Sequence, residues 1–459
     1  MIKKLFSKFQ KERDFTTIAI SKGIWILAIP MIVSHLLQAA YNLIDMIWVG
    51  RLGAEALAAV SMSGQILMVT LFVMIGIGIG TTALIARSFG AKNFSETNNI
   101  AVQSIIMGLS FALVFGLIGY FFSPAMLKGL GAGPEILTLG VGYMQILFGG
   151  IFLMFAMYFV SAILQGAGDA ATPMLIMGFS VVLNAILDPF LIFGWGPFPQ
   201  MGVSGAAVAT VLSEAVGSII AIEVMLRGRS RLHLKLPDLR IDLKVMWRIL
   251  KVGIPASAQM ILRGFMGIVL ITVVASFGTA AIAAYGVGMR LMMLAMMPGF
   301  AFGAAAGTMV GQNLGAKKPE RAVKAAWTTV GFYSIFMVGI AALFYYWAPN
   351  LMLVFNNNAQ VVEIGSQFLR IISFGMIFVS VGLILGRAVS GAGDTLPPAI
   401  FTFVALWVVQ IPLAIYLSRY TSLGLSGVWW SILIAQLILV TQNTVYFVMG
   451  KWKTLTPGG

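Results

Sequence analysis

Cysteine is absent from this 459-residue chain. Its absence excludes disulfides, thiolate metal sites and cysteine nucleophiles. Histidine is nearly absent too, with only His35 and His233. Imidazole metal sites and Ser-His-Asp chemistry therefore have little material to draw on. Charge is scarce: only 10% of residues are charged, against about a quarter in soluble domains. No HExxH, GxSxG or paired catalytic aspartate motif occurs, so an intramembrane enzyme fails on inventory. Buried charges are also too few and too asymmetric to form the rings of a channel.

What the chain has is apolar length. Hydrophobic residues make up 59% of it, more than a soluble fold of this size could bury. The 51 glycines fit close helix packing in lipid, and the 28 methionines supply an adaptable apolar surface. A membrane helix needs ~20 apolar residues. Stretches 56–86, 97–127, 136–168, 264–289, 291–316, 325–362, 395–418 and 420–450 contain no charged residue. Divided at turn signals, they predict spans near 20–49, 55–87, 95–122, 134–164, 170–195 and 202–226. The second set falls near 242–276, 280–312, 320–347, 358–389, 396–418 and 424–450. The run from Gly76 to Gly80 lies inside one span with no Lys-Ser/Thr after it, so it reads as packing or a hinge rather than a phosphate loop.

The net charge of +14, with a pI near 10, reads as topology rather than nucleic-acid binding. With twelve spans and a cytoplasmic N-terminus, Lys and Arg number six in the N-terminal lead, two in loop 2–3 and eight in loop 6–7. Loop 8–9 holds four, loop 10–11 one and the C-terminus two, giving 23 inside. Outside lie Arg51, Lys128 and Arg419, while Arg263, Arg290 and Arg370 fall within spans. The basic start reads as a cytoplasmic lead rather than a signal peptide, because no small-residue cleavage site follows. The predicted organisation is a cytoplasmic segment 1–19, a first lobe 20–226, a linker 227–241, a second lobe 242–450 and a cytoplasmic tail 451–459. Both termini then face the cytoplasm of a cell's inner membrane.

The two halves repeat. Ile29-Pro30 recurs as Ile254-Pro255, Gly90-Ala91-Lys92 as Gly315-Ala316-Lys317, and Gly166-Ala167-Gly168-Asp169 as Gly391-Ala392-Gly393-Asp394. Gly53 and Pro173 recur as Gly278 and Pro398; every pair is 225 residues apart. Gly202 and Gly424 match at 222, which places three extra residues in the first half near Gly196-Pro197-Phe198-Pro199. The period holds six helices, an even number, so both halves enter the membrane in the same direction. The expected fold is all-α and integral to the membrane, with twelve helices in two pseudo-symmetric six-helix lobes. Pro30 and Pro255 are expected hinges. The GAGD turns end helices with glycine and cap the next with aspartate.

Charged groups inside spans are costly and are usually paired or functional. The first half holds Asp45, Asp188 and Glu214; the second half has no equivalent acids. Arg263, Arg290 and Arg370 correspond to Gln38, Gln65 and Gln145, and Glu214 to Gln436. Polarity kept at matching positions marks these six Gln and Arg residues as lining a substrate cavity; interhelical pairing is the alternative. Gln38, Tyr41 and Asp45 share a helix face, as do Asn184 and Asp188. Asp45, Asp188 and Thr210 each lie roughly 8–12 Å from the outer end of a span at 1.5 Å per residue. These oxygen ligands suit a proton or a hard cation such as Na⁺.

The sequence resembles the multidrug and toxic compound extrusion (MATE) family. The resemblance covers about residues 20–450. It rests on Ile29-Pro30 with Asp45 and Gly50, on Gly311-Gln312-Asn313-Leu314-Gly315-Ala316, on the paired GAGD turns, and on Asn184 through Asp188-Pro189. Within the family the chain is most similar to the DinF-like branch. The resemblance implies export of organic compounds in exchange for H⁺ or Na⁺. It implies a first-lobe coupling site at Tyr41, Asp45, Asn184, Asp188 and Thr210. The family's other large branch uses second-lobe acids, and here Arg263 stands at one such position. No cofactor is expected beyond the coupling ion, and no resident metal beyond Na⁺ at Asp45 and Asp188. The expected partners are a small amphipathic substrate and the bilayer, with no nucleic acid and a monomeric chain. The competing reading is a flippase for lipids or lipid-linked precursors, with the three arginines holding an anionic head group.

Overall fold

The computed structural model describes residues 14–228, 230–232, 240–455 and 458. Most of the expected cytoplasmic lead, the core of the 227–241 linker and part of the 451–459 tail lie outside the described residues. The first half forms α1 (Ile20–Gly50), α2 (Ala54–Gly90), α3 (Phe94–Gly129), α4 (Pro134–Gly149), α5 (Ile151–Gly166), α6 (Ala171–Phe193) and α7 (Val203–Leu226). The second forms α8 (Leu243–Ala275), α9 (Thr279–Gly315), α10 (Pro319–Tyr346), a short α11 (Ala348–Leu353), α12 (Ala359–Ser373) and α13 (Met376–Gly391). It continues with α14 (Leu396–Phe403), a π-helical stretch Val404–Gln410, α15 (Ile411–Arg419) and α16 (Leu425–Met449). Among the described residues, ten spans are long and apolar enough to cross a membrane, with α14 through α15 counted as one. Two bent pairs, α4 with α5 at 48° and α12 with α13 at 56°, complete twelve.

The breaks fall at Gly150 and at Phe374-Gly375, matching positions of the two halves. The predicted spans 134–164 and 358–389 are thus each broken once. Gly150 offers no side chain, and its close neighbour Val211 on α7 would clash with a Cβ at 2.6 Å. The chain bends where a neighbouring helix presses against it. By contrast, α1 and α8 run unbroken through Pro30 and Pro255.

The repeat is visible in the backbone. Gly53 and Gly278 share positive φ (119° and 98°), as do Lys92 and Lys317 (57° and 58°) and Gly202 and Gly424 (55° and 52°). The amide of Asn93 donates to Ser88 O at 3.0 Å, and that of Lys318 to Asn313 O at 2.8 Å. Gln145 Nε2 donates to Tyr120 O and Arg370 Nε to Tyr345 O, each at 3.4 Å. In both halves the second helix packs on the helix that follows the bend, α2 on α5 and α9 on α13.

The compact units depart from the lobe boundaries read in the sequence. One unit includes Ile29–Leu250, the other Phe15–Ala28 with Lys251–Gly459. Thus α1 begins in the second unit and α8 in the first. Polar contacts at the helix starts explain the exchange. In the second unit, Lys318 Nζ donates to Thr16 O at 3.0 Å, Arg321 donates to Ile18 O, and Trp25 packs on Phe302 at 5.3 Å. In the first, Arg248 pairs with Glu96 at 2.9 Å, Asn99 donates to Asp242 at 3.0 Å, and Gln103 donates to Arg240 O at 2.6 Å. Asn93 and Glu96 begin α3 as Lys318 and Arg321 begin α10, so the same stations serve both units with different chemistry.

Candidate functional site

The α6–α7 hairpin packs closely because glycines face it. A Cβ on Gly205 would meet the backbone of Leu191, and one on Gly217 would meet Ser180 Oγ. This close approach sets Ser180, Asn184 and Asp188 on α6 beside Thr210, Ser213 and Glu214 on α7. Asn184 Nδ2 donates to Asp188 Oδ1 at 3.2 Å. Tyr41 on α1 has its hydroxyl beside Thr210 and within electrostatic reach of Glu214, Asp45 and Asp188. Asp45 in turn lies within reach of Asp188. Tyr143 on α4 faces Asp45, Asp188 and Glu214 from a further side.

This cluster lies wholly within the first unit and is buried: Asp188 and Asn184 are 0% exposed, Tyr41 7%, Asp45 8% and Thr210 9%. Asp45, Asp188 and Glu214 form no ion pair among the described residues. Buried polar atoms normally find partners. Here Tyr41 Oη, Asp45 Oδ1, Asn184 Oδ1, Asp188 Oδ2, Ser180 Oγ and Ser213 Oγ have none. Such a concentration of unsatisfied oxygens marks a site able to take up a small positive charge. Two unpaired carboxylates in a poorly solvated setting repel each other. A proton or a cation relieves both the repulsion and the missing hydrogen bonds. Among the described residues no cluster of three His, Cys, Asp or Glu side chains has metal-holding geometry.

The structure therefore brings Tyr41, Asp45, Asn184, Asp188 and Thr210 together. Ser180 and Ser213, buried on the same two helices, and Tyr143, in electrostatic reach of the three acids, were not singled out from the sequence. Ser180 stands four residues before Asn184 and Ser213 three after Thr210, so helical spacing held that signal; Tyr143 had none. The other polar span residues divide between the two units. Gln38 and Gln65 in the first unit are exposed and Gln145 is half-buried. Arg290 and Arg370 in the second unit are exposed and Arg263 is half-buried. Arg370 lines a cleft of about 440 Å³ with Pro349, Leu353, Asn357, Glu363 and Ser366.

The repeat makes the asymmetry of the pocket explicit. Moved by 225, Tyr41, Asp45, Asn184 and Asp188 become Met266, Leu270, Val409 and Leu413; Thr210, moved by 222, becomes Ile432. Met266, Leu270 and Ile432 are buried in the apolar core of the second unit. The first half thus carries five polar groups where the matching positions of the second carry five apolar ones.

A repeated backbone in the two halves, up to twelve apolar spans among the described residues and a buried ionisable cluster in one half define a multi-pass membrane transporter. The family model described as MatE matches twice, over residues 30–190 and 255–416. The chain belongs to this family of transporters. The chain is 29% identical to "Probable multidrug resistance protein NorM" of Thermotoga maritima, over 93% of this chain and 92% of that protein. It is 30% identical to "Probable multidrug resistance protein YoeA" of Bacillus subtilis, over 87% and 88% respectively. Among solved structures, "Crystal structure of MATE in the bent conformation" aligns with a TM-score of 0.89 at 27% identity, covering 95% of this chain and 96% of that one.

Proposed function

We propose that this protein is a cation-coupled exporter of small amphipathic, often cationic, organic molecules. Its coupling ion, H⁺ or Na⁺, binds between Asp45 and Asp188 in the first unit. The observation that carries the reading is the buried pair of unpaired carboxylates with their orphaned oxygens. Names of the relatives from Thermotoga maritima and Bacillus subtilis support the substrate class. The chain acts as a monomer in a cell's inner membrane, with both termini cytoplasmic, a topology that the Lys and Arg distribution supports.

The mechanism follows from differential binding. A coupling ion drives a conformational change only if it binds two states with different affinity. Loading neutralises the carboxylates and removes their repulsion, so α1 repositions around Asp45. Pro30 lacks an amide donor and leaves α1 pliable fifteen residues below Asp45; Pro255 does the same in α8. Gln38, Gln65, Gln145 and the span arginines keep a polar path for substrate, since such groups are costly against lipid. Uptake of a fluorescent cation into inverted vesicles, under a pH gradient or a Na⁺ gradient imposed separately, tests the reading. Transport driven by one of the two supports it. Equal uptake with neither gradient would remove the coupling.

A further inference from the structure

The second unit has a corner where α10 ends, α11 turns the chain and α12 begins. Three exposed rings stand at the end of α10: Tyr345, Tyr346 and Trp347. Tyr345 lies 5.3 Å from Tyr346, and Tyr346 6.3 Å from Trp347, each edge-on. Amphipathic rings of this kind gather where a membrane meets water. Past α11, Val354 and Phe355 are exposed as well, at 78% and 46%. The corner therefore suits a membrane surface.

Beside it the chain encloses a hollow. α11 is pinned on α12, since a Cβ on Gly365 would overlap the buried Met352 side chain. Next to this contact lies the cleft of about 440 Å³. Glu363, Ser366 and Arg370 line it at i, i+3 and i+7, so they share one face of α12. Pro349, Leu353 and Val362 give it apolar walls. Glu363 makes no ion pair or hydrogen bond among the described residues, so it does not pair with Arg370 although both line the cleft. Asn356 and Asn358 use their side chains in the turn, accepting from the amides of Asn358 and of Gln360 and Val361. Asn357, between them, lines the cleft instead. Arg370 Nε donates to Tyr345 O at 3.4 Å, which sets the guanidinium level with the ring-bearing last turn of α10. Glu363 stands two turns nearer the start of α12, about 10 Å further along the axis.

The repeat separates scaffold from charge. Gln145, at the position matching Arg370, makes the same bond to Tyr120 O at 3.4 Å. Pro349 matches Pro124, but Asn357, Glu363 and Arg370 stand where the first half has Ala132, Thr138 and Gln145. The anchor is common to both halves, and the two opposite charges belong to the second alone.

We propose that this cleft holds the head group of a zwitterionic phospholipid of the ethanolamine type. The Arg370 guanidinium takes the phosphate. The Glu363 carboxylate and the Asn357 carboxamide oxygen take the ammonium. The order fits a lipid in a bilayer, with the phosphate level with the interfacial rings and the ammonium further out. A simple anion would satisfy Arg370 but meet repulsion from Glu363; a dipolar group satisfies both. The acyl chains leave along the exposed Phe374, which packs on Tyr345 at 5.7 Å. The proposal goes beyond the export reading, and its test uses no ion gradient, so the failure of one leaves the other standing.

The test is calorimetric titration of the purified full chain in a non-ionic detergent. The probes are dihexanoylphosphatidylethanolamine and dihexanoylphosphatidylglycerol, which share the phosphate and the tails; only the first carries an ammonium. The wild type should bind the ethanolamine lipid roughly tenfold more tightly, as one charge-assisted hydrogen bond allows. Glu363→Gln should weaken binding of the ethanolamine lipid without weakening that of the glycerol lipid, which erases the preference. Arg370→Gln should weaken both by roughly tenfold. Glu363→Gln removes no bond within the chain, so it carries the comparison if Arg370→Gln fails to fold. Equal affinity of the wild type for the two lipids, or a preference for ethanolamine that survives in Glu363→Gln, would overturn the proposal. Glycerophosphoethanolamine, which lacks tails, should bind far more weakly than the lipid; equal binding would overturn the assignment to a lipid.

Discussion

Gly391 closes α13 against Gly307 of α9, and a methyl group there tests how closely the helices pack. A Cβ on Gly391 would run into the Cα, carbonyl carbon and oxygen of Gly307. These are backbone atoms and cannot rotate away. The helices must separate, and the contact along α9 and α13 loosens with them. Overpacking of a tight core costs about 1–3 kcal/mol, and a backbone obstacle places Gly391→Ala at the upper end. Gly166, its counterpart, meets Thr82 O at 2.8 Å and Ile85 Cβ at 2.9 Å. Gly166→Ala should cost a similar amount and strain the bond from Thr82 Oγ1 to Ala162 O, now 3.0 Å. Gly339 is the control: it is exposed on α10 and has nothing within 4 Å of an added Cβ. Gly339→Ala should gain about 0.5–1 kcal/mol from helix propensity alone. Thermal unfolding in detergent should therefore rank Gly339→Ala at or above wild type, with Gly166→Ala and Gly391→Ala several degrees below. Equal midpoints for Gly391→Ala and wild type would refute the backbone-on-backbone packing.

Arg248 and Glu96 are about one-third exposed, so their ion pair should contribute only ~0.2–1 kcal/mol in a double-mutant cycle and fade at high salt. A coupling energy that ignores salt would mean the pair is not what holds the start of α8. Asp242 caps α8 through bonds to the amides of Lys244 and Val245 at 3.1 and 3.2 Å. The Asn99 amide first, and then those backbone amides, hold its carboxyl below the usual range. A depressed carboxyl contributes stability above its unfolded pKa of ~3.9 and loses it as pH falls through the lower folded value. Hydrogen exchange at Lys244 and Val245 should accelerate on that acid side, and Asp242→Ala should show the fast rate at all pH values. The cap is worth about 1 kcal/mol, so protection unchanged by Asp242→Ala would exclude it.

Much of this was legible in the sequence, for identifiable reasons. Long uncharged runs and the Lys and Arg asymmetry located the spans, because lipid tolerates neither charge nor unpaired backbone. The predicted span 202–226 became Val203–Leu226, and 424–450 became Leu425–Met449. The third span, predicted over 95–122, continues to Gly129 with Pro124 inside it. The bends at Gly150 and Gly375 were missed because a glycine in an apolar run signals packing as readily as a break. The exchanged starts of α1 and α8 were illegible because they depend on Arg321, Arg248 and Gln103, which pair far along the chain. In the pocket, Asp45, Asn184 and Asp188 stood out as polar residues in apolar helices. Tyr143 did not, since only tertiary packing brings it to face them.

The central claim is that Asp45 and Asp188 couple an ion to export. Asp45→Asn and Asp188→Asn preserve shape and, at Asp188, the acceptor for Asn184, while each removes one charge of the pair. Both should fold as wild type. The direct measurement is gradient-driven export of an organic cation from proteoliposomes carrying equal amounts of wild type, Asp45→Asn and Asp188→Asn. The account predicts that each variant loses gradient-driven export yet still binds the organic cation. Near-wild-type export by both would contradict it and move the coupling to Glu214, the remaining acid of that pocket.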